Sequence, residues 1–347
     1  MPLRRAVEDF IQMRTTGIPA ALLRGLLVPA MLVYGAAVAV RNLLYDAGIL
    51  TVARAGMPVI SVGNLTAGGT GKTPLVMHIA RQLRAEGRRP AVIARGYGGR
   101  GGSNDEIELV RRELPGMIAL ADPDRVAAAR RAVAAGADVI ILDDGFQHRR
   151  LHRDCDILAI DARTVALPKL LLPAGPFREW WGARRRAHLI AVTKCAADAP
   201  PPAVAGRTPG ADLFAFRHRP AAIRRGERTE PVDALAGTPV FLFAGIADPA
   251  HFQTTVAAAG IVVAGTRFFP DHHAYTPADL EAVAAAARAA GAAVALTTEK
   301  DAVKTGPLLK NAKNTVEFMA LAITMAPVSD GTADAFWDRI HEHIRHP

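Results

Sequence analysis

Apolar and polar positions alternate along the chain in blocks that predict a layered α/β protein. Pro58 to Gly63 is a mostly apolar run of strand length, read as a buried strand. A glycine-rich turn follows, then an amphipathic helix pattern from Leu75 to Leu83 that continues to about Glu86. A second apolar run covers Ala91 to Ala94, and strand, helix and strand in this order make a βαβ unit with a parallel sheet. Beyond a second glycine-rich turn, Gly96 to Gly102, Asp122-Pro123 reads as N-cap and first residue of a helix ending near Gly136. Ala137 to Leu142, Asp156 to Ile160 and Leu189 to Val192 read as further buried strands. A Pro- and Ala-rich stretch, Ala196 to Gly210, is the expected interdomain linker. The rhythm then resumes with strands at Val240 to Ala244, Ile261 to Ala264 and Val294 to Thr297, and helices after Asp248 and after Thr276-Pro277. Thr332 to Ile344 predicts an amphipathic C-terminal helix.

The N-terminal block follows a different pattern. From Ile18 to Tyr45 the chain is mostly Leu, Val and Ala, with no charge between Arg24 and Arg41. As a helix that uncharged window spans roughly 24 Å, short of the ~30 Å hydrocarbon core of a bilayer. It contains Gly25, Pro29 and Gly35 and is flanked by Arg14, Arg24, Arg41 and Arg54. A helix lying in the membrane interface, with basic residues towards anionic headgroups, fits this pattern better than a full span. Two rival readings are a signal peptide and a helix buried against the first domain.

Composition narrows the partners. A chain of 347 residues is long enough for two cores, and its formal charge of +9 fits an anionic partner: a nucleic acid, an acidic membrane surface or a phosphorylated substrate. No aromatic-basic single-strand surface or recognition helix is visible, which argues against nucleic acid. Much of the positive excess is arginine, including Arg184 to Arg186, for which a solvated basic face is the default reading. Two cysteines, Cys155 and Cys195, suggest no disulfide framework and a cytosolic orientation.

The turn after the first strand carries the chemistry. Gly68-Gly69-Thr70-Gly71-Lys72-Thr73 stands between a buried strand and a helix, the context of a phosphate-binding loop. Its glycines let backbone N–H groups converge on a polyanion at a helix N-terminus. Lys72 is expected against the β and γ phosphates of ATP, and the Thr73 hydroxyl on Mg²⁺. Pro74 falls in the first helical turn, where a missing N–H costs little. Thr66 stands where the first glycine of the longer motif would fall, so the loop, Thr66, Ala67 and Gly68 to Thr73, is a variant form. Val139 to Leu142 then ends in Asp143-Asp144, paired carboxylates at a strand tip that suit Mg²⁺ or cap the turn Gly145 to His148.

Four strings in a fixed order make a resemblance specific. Gly63-Asn64-Leu65, Asp143-Asp144-Gly145-Phe146-Gln147-His148-Arg149, Leu172-Pro173-Ala174-Gly175-Pro176-Phe177-Arg178-Glu179 and Thr298-Glu299-Lys300-Asp301 together resemble the tetraacyldisaccharide 4'-kinases. The resemblance implies a phosphate-loop kinase core with a mainly parallel twisted sheet, plus a second smaller α/β domain. The expected segments are 1–54 (membrane-associating, part of the first domain), 55–210 (kinase core), 211–328 (the smaller domain, closing over the site) and 329–347 (C-terminal helix). It implies transfer of the ATP γ-phosphoryl group to the 4'-hydroxyl of an acylated glucosamine disaccharide 1-phosphate. The place implied is the cytosolic face of a bacterial inner membrane, with Mg²⁺ as cofactor.

The same resemblance implies an Asp–His pair for proton transfer. The matching positions are Asp105, in Asn104-Asp105-Glu106 where the family carries a Gly-Asp-Glu string, and His272 after Asp271; His273 leaves an ambiguity. Arg95, Gln147, His148 and Arg178 are expected at the substrate, Glu179 in the surroundings of the metal, and Lys300 and Asp301 towards the nucleotide. For Arg95, Gln147, His148, Arg178 and Glu179, an ion pair or turn hydrogen bond is the competing reading. A membrane-recruited phosphate-loop switch ATPase, with a protein partner in place of a lipid acceptor, is the alternative function.

Overall fold

The structure, a computed structural model, describes residues 2–96, 105–196, 211–309, 316–329 and 331–345. Apart from Gly96 and Ala196, the expected turn Gly96 to Gly102 and the expected linker lie outside the described residues, as does Asn104. The chain forms two compact units, Met1–Arg217 with Pro327–Pro347, and His218–Ala326.

The first unit begins with two helices, α1 (Pro2–Ile11) and α2 (Ile18–Asp46). Strands β1 (Val59–Gly63), β2 (Pro90–Ala94), β3 (Ile118–Ala121), β4 (Val139–Asp143), β5 (Cys155–Asp161), β6 (Leu189–Thr193) and the start of β7 (Asp212–Arg225) form a parallel sheet ordered β7-β6-β5-β1-β4-β2-β3. Helices α3 (Lys72–Ala85), α4 (Asp105–Glu113) and α5 (Arg125–Ala134) connect them. Strands β1, β2, β4, β5 and β6 are buried at every position, which is why each reads as a mostly apolar run. The cap of α5 falls two residues later than the sequence suggests. Asp124 accepts from the N–H groups of Val126 and Ala127, both at 3.1 Å, while Asp122 accepts from the Asp124 N–H at 2.8 Å and shapes the turn before it.

Helix α2 runs unbroken through Pro29 for 29 residues and is, by length and composition, long enough to cross a membrane. Ile18, Leu22, Leu26, Val33 and Leu43 are each at least 65% exposed. The other face is docked: Met31, with Leu27, Val28 and Tyr34, packs on a cluster containing Leu65, Phe146, Leu171 and Phe177. The helix therefore combines an outward apolar stripe with an inward face that reaches the loops after β1 and β4.

The second unit contains β8 (Arg228–Glu230), antiparallel to the end of β7, and β9 (Pro239–Ala244), β10 (Val262–Phe268), β11 (Val294–Thr298) and β12 (Glu317–Pro327). β10, β9, β11 and β12 pair in parallel, with helices α6 (Pro249–Ala258), α7 (Pro277–Ala289) and α8 (Glu299–Leu309). Asp248 caps α6, and Thr276 with Asp279 forms a capping box on α7. The C-terminal helix α9 (Thr332–Ile344) belongs to the first unit, where Phe336 meets Phe214 and Phe216 at ring separations of 5.3 and 5.0 Å.

Candidate active site

The register of the first sheet explains why distant strings meet. Val62 of β1 pairs with Asp143 of β4, so the glycine-rich loop and the paired acids leave the sheet side by side at its carboxyl edge. A Cβ on Gly63 would lie 2.5 Å from the backbone nitrogen of Phe146, so this close approach of the two turns requires glycine. The third string joins by backbone pairing: the Arg178 N–H donates to Leu65 O and the Ala67 N–H to Pro176 O, both at 2.7 Å. Gly63 to Ala67, Asp143 to Arg149 and Leu172 to Glu179 thus form one assembly.

Within it the loop ends at Gly71, whose left-handed φ of 77° caps α3 and places Lys72 and Thr73 in the first helical turn. The Thr73 hydroxyl donates to Asp143 Oδ2 at 2.9 Å. Asp143 is buried, and burial followed by the charge of Glu106 pushes its carboxyl up to about 7 against the opposing pull of Lys72. Asp144 takes a left-handed φ of 55° and turns towards cations: Lys72 Nζ is 3.6 Å away, and Arg178 Nη1 donates at 2.8 and 3.0 Å. Burial alone would raise its pKa, but Lys72 and Arg178 overcome that and hold it well below the usual carboxylate range. The two adjacent carboxylates thus have opposed protonation preferences.

Thr73 and Asp143 present a hydroxyl and a carboxylate oxygen together, the hard donor type that Mg²⁺ takes while keeping positions for phosphate oxygens and water. Among the described residues no group of three His, Cys, Asp or Glu side chains forms a metal cage. Glu179 is engaged elsewhere. Its carboxylate, only 1% exposed, accepts from Asn42 Nδ2 at 2.7 Å, Arg186 Nη1 at 2.9 Å and Arg41 Nη2 at 3.5 Å, and so fastens α2 to the core. Two of the three consecutive arginines are internal braces: Arg186 also lies over the Phe146 ring and Arg184 over Trp181.

Beside the acids opens a cavity of about 610 Å³, walled by Tyr34, Val38 and Arg41 of α2 and by Arg95, Pro123, Arg125, Asp144, Gln147, His148 and Arg178. Four guanidinium groups against one carboxylate give it a cationic lining. Gln147 is oriented by donating to Asn64 O at 2.9 Å and accepting from Arg178 at 3.4 Å. Burial, then Arg125, Arg153 and Arg150, pushes His148 down to about 4, so its imidazole is neutral at pH 7. The expected residues Arg95, Gln147, His148 and Arg178 all line this cavity. Tyr34, Arg41 and Arg125 are contributions that local sequence did not signal; Arg125 donates to the Asp143 carbonyl at 3.1 Å.

The two residues expected at the proton fall in different units. Asp105 opens α4 in the first unit, next to Glu106, whose charge acts on Asp143. His272 belongs to the second, with a left-handed φ of 56° and its side chain 43% exposed. Its Nε2 is 3.2 Å from Lys300 Nζ and 3.9 Å from Asp271 Oδ2. His273 differs in every respect: it is buried, its Nε2 is 3.1 Å from Asp279 Oδ2, and its ring stacks on Phe269 at 4.6 Å. Asp301 is also internal, accepting from the Gly245 N–H at 3.1 Å and the Thr298 hydroxyl at 2.9 Å.

Residues 23–345 match the family described as tetraacyldisaccharide-1-P 4'-kinase. A tetraacyldisaccharide 4'-kinase of Anaeromyxobacter dehalogenans (strain 2CP-C) is 42% identical over 301 residues, covering 80% of each chain. Another, from Geobacter metallireducens, is 42% identical over 308 residues, covering 83% of this chain and 89% of its own. Among solved structures, the "apo" form of LpxK from Aquifex aeolicus in complex with ATP superposes with a TM-score of 0.74 at 28% identity, over 93% of this chain and 99% of the other.

Proposed function

Because the chain belongs to the tetraacyldisaccharide-1-P 4'-kinase family, we propose that its first unit binds ATP on the loop Thr66 to Thr73 and a lipid disaccharide 1-phosphate in the neighbouring cationic cavity. The enzyme moves the γ-phosphoryl group to the 4'-hydroxyl, a step of lipid A biosynthesis. The observation that carries this reading is the set Lys72, Thr73, Asp143, Asp144 and Arg178, joined at 2.8–3.6 Å beside that cavity.

Phosphoryl transfer needs charge neutralisation and alignment more than covalent help. Lys72 is the residue for the β and γ phosphates, and Asp144 holds its ammonium in place. Thr73 and Asp143 are the residues that would hold Mg²⁺, and bound there it supplies further neutralisation of the phosphates. Arg95, Arg178, Gln147 and the neutral His148 receive the anionic and hydroxyl groups of the acceptor. Asp105 and His272 are the residues proposed for the proton of the attacking hydroxyl. The exposed stripe of α2 lies in the cytosolic face of the inner membrane, and its docked side brings Tyr34 and Arg41 to the acceptor.

The test is product analysis. Protein in detergent micelles with ATP, Mg²⁺ and the disaccharide 1-phosphate should yield a bisphosphorylated lipid with the new phosphate at the 4' position by mass spectrometry. Release of inorganic phosphate to water, with the lipid unchanged, would reject the reading.

A further inference from the structure

The phosphate loop is held from below by side chains that the kinase reading does not use. Five successive carbonyls accept: Thr66 (2.8 Å) and Gly68 (3.4 Å) from Asn64, Ala67 (2.6 Å) from Gln12, Gly69 (2.5 Å) from Lys194, and Thr70 (2.6 Å) from the Thr193 hydroxyl. In a trans peptide the N–H points opposite to the carbonyl, so each bond of this kind fixes the direction in which the next residue's N–H is offered. Tying the Gly69 and Thr70 carbonyls inward therefore turns the N–H groups of Thr70 and Gly71 away from the core, towards the side where a polyanion would be bound.

Lys194 stands out among these donors. It follows β6 in a left-handed conformation, φ 56°, with its side chain 4% exposed. Its ammonium is also 3.0 Å from Asp161 Oδ2 at the end of β5, and Asp161 is in turn gripped by Arg163. A buried lysine is costly unless its charge is compensated, and here both the carboxylate and the carbonyl do so.

We propose that Lys194, braced by Asp161, is a positioning residue for ATP: it orients the Gly69–Thr70 peptide so that the loop is preformed for phosphate. This rests on the kinase reading and adds a residue to it. The experiment measures affinity for a fluorescent ATP analogue without lipid, and KM for ATP and for lipid separately, in wild type, Lys194→Met, Lys194→Arg and Asp161→Asn. Losing a charged hydrogen bond to the loop should weaken nucleotide binding ~10-fold or more in Lys194→Met. The lipid KM should not change, Lys194→Arg should recover part of the affinity, and Asp161→Asn should weaken it in the same direction. If Lys194→Met does not fold, Thr193→Val with Asp161→Asn decides the matter by the same split between the two KM values. Wild-type nucleotide affinity in Lys194→Met, or equal changes in both KM values, would overturn the proposal. Failure of the wild type itself to bind nucleotide would overturn the kinase reading with it.

Discussion

The phosphate loop and the Asp271-His272-His273 turn make opposite use of polar groups. In the loop, carbonyls 66 to 70 are all bonded to side chains and the acids beside it are paired with Lys72, Thr73 and Arg178. In the turn, one histidine is buried and stacked while its neighbour is half-exposed, its ring 3.2 Å from Lys300 Nζ and 3.9 Å from the Asp271 carboxylate. A site for a fixed polyanion is rigid before the ligand arrives, because aligned dipoles stabilise charge only if they need not reorganise. A group that exchanges a proton with an acceptor needs access, and His272 has it where His273 does not.

That contrast can be broken in several places. Lys72→Ala should have the largest effect, a ~10³-fold loss of kcat/KM measured with saturating lipid, since it removes the cation proposed for the β and γ phosphates. Asp143 comes next and acts through pH. Its folded pKa, about 7, lies above the ordinary 3.8, so the fold prefers the protonated form. The stability this contributes is complete below pH 3.8 and is lost as pH rises to about 7. In EDTA, going from pH 4 to pH 8 should therefore favour Asp143→Asn over wild type by up to about 4 kcal/mol in denaturant melts.

Glu179→Ala should cost about 3 kcal/mol of stability, because it leaves Arg186 without its carboxylate in a buried setting. If Glu179 instead acts at the metal, the variant will keep its stability and shift the Mg²⁺ dependence of the rate. His272→Ala should lower kcat ~10²-fold with an unchanged melting point. His273→Ala should do the reverse, losing about 1 kcal/mol of stability with kcat intact. Exchange of these two outcomes would show that the exposed and buried histidines have been assigned the wrong way round.

Much of this was legible in the sequence, for physical reasons that differ by element. Strands buried on both faces announce themselves as apolar runs, and Thr276-Pro277 announced α7 because capping chemistry is local. β7 was not seen, since Arg217, His218 and Arg219 interrupt its apolar positions; α4 is short and charged, and β3 has four residues at the sheet edge. The strings around the phosphate loop could be read because each carries its own chemistry. The bonds that hold Glu179 are not legible in its own string, because its partners Asn42 and Arg186 come from α2 and from a turn beyond it. Lys194 was missed for the same reason: an isolated lysine after an apolar strand gives no sign that it ends beneath a loop more than a hundred residues earlier. The histidine pair is the sharpest case, because identical neighbours in sequence are separated by burial, by the Asp279 carboxylate and by the stacking of Phe269, all on His273.

The most direct test of the account is transfer of labelled γ-phosphate from ATP in micelles containing the disaccharide 1-phosphate, comparing wild type with Lys72→Ala and His273→Ala. The account predicts labelled lipid from wild type and His273→Ala, and a rate ~10³-fold lower from Lys72→Ala. Labelled lipid formed by Lys72→Ala at the wild-type rate, or no labelled lipid from any of the three, would contradict it.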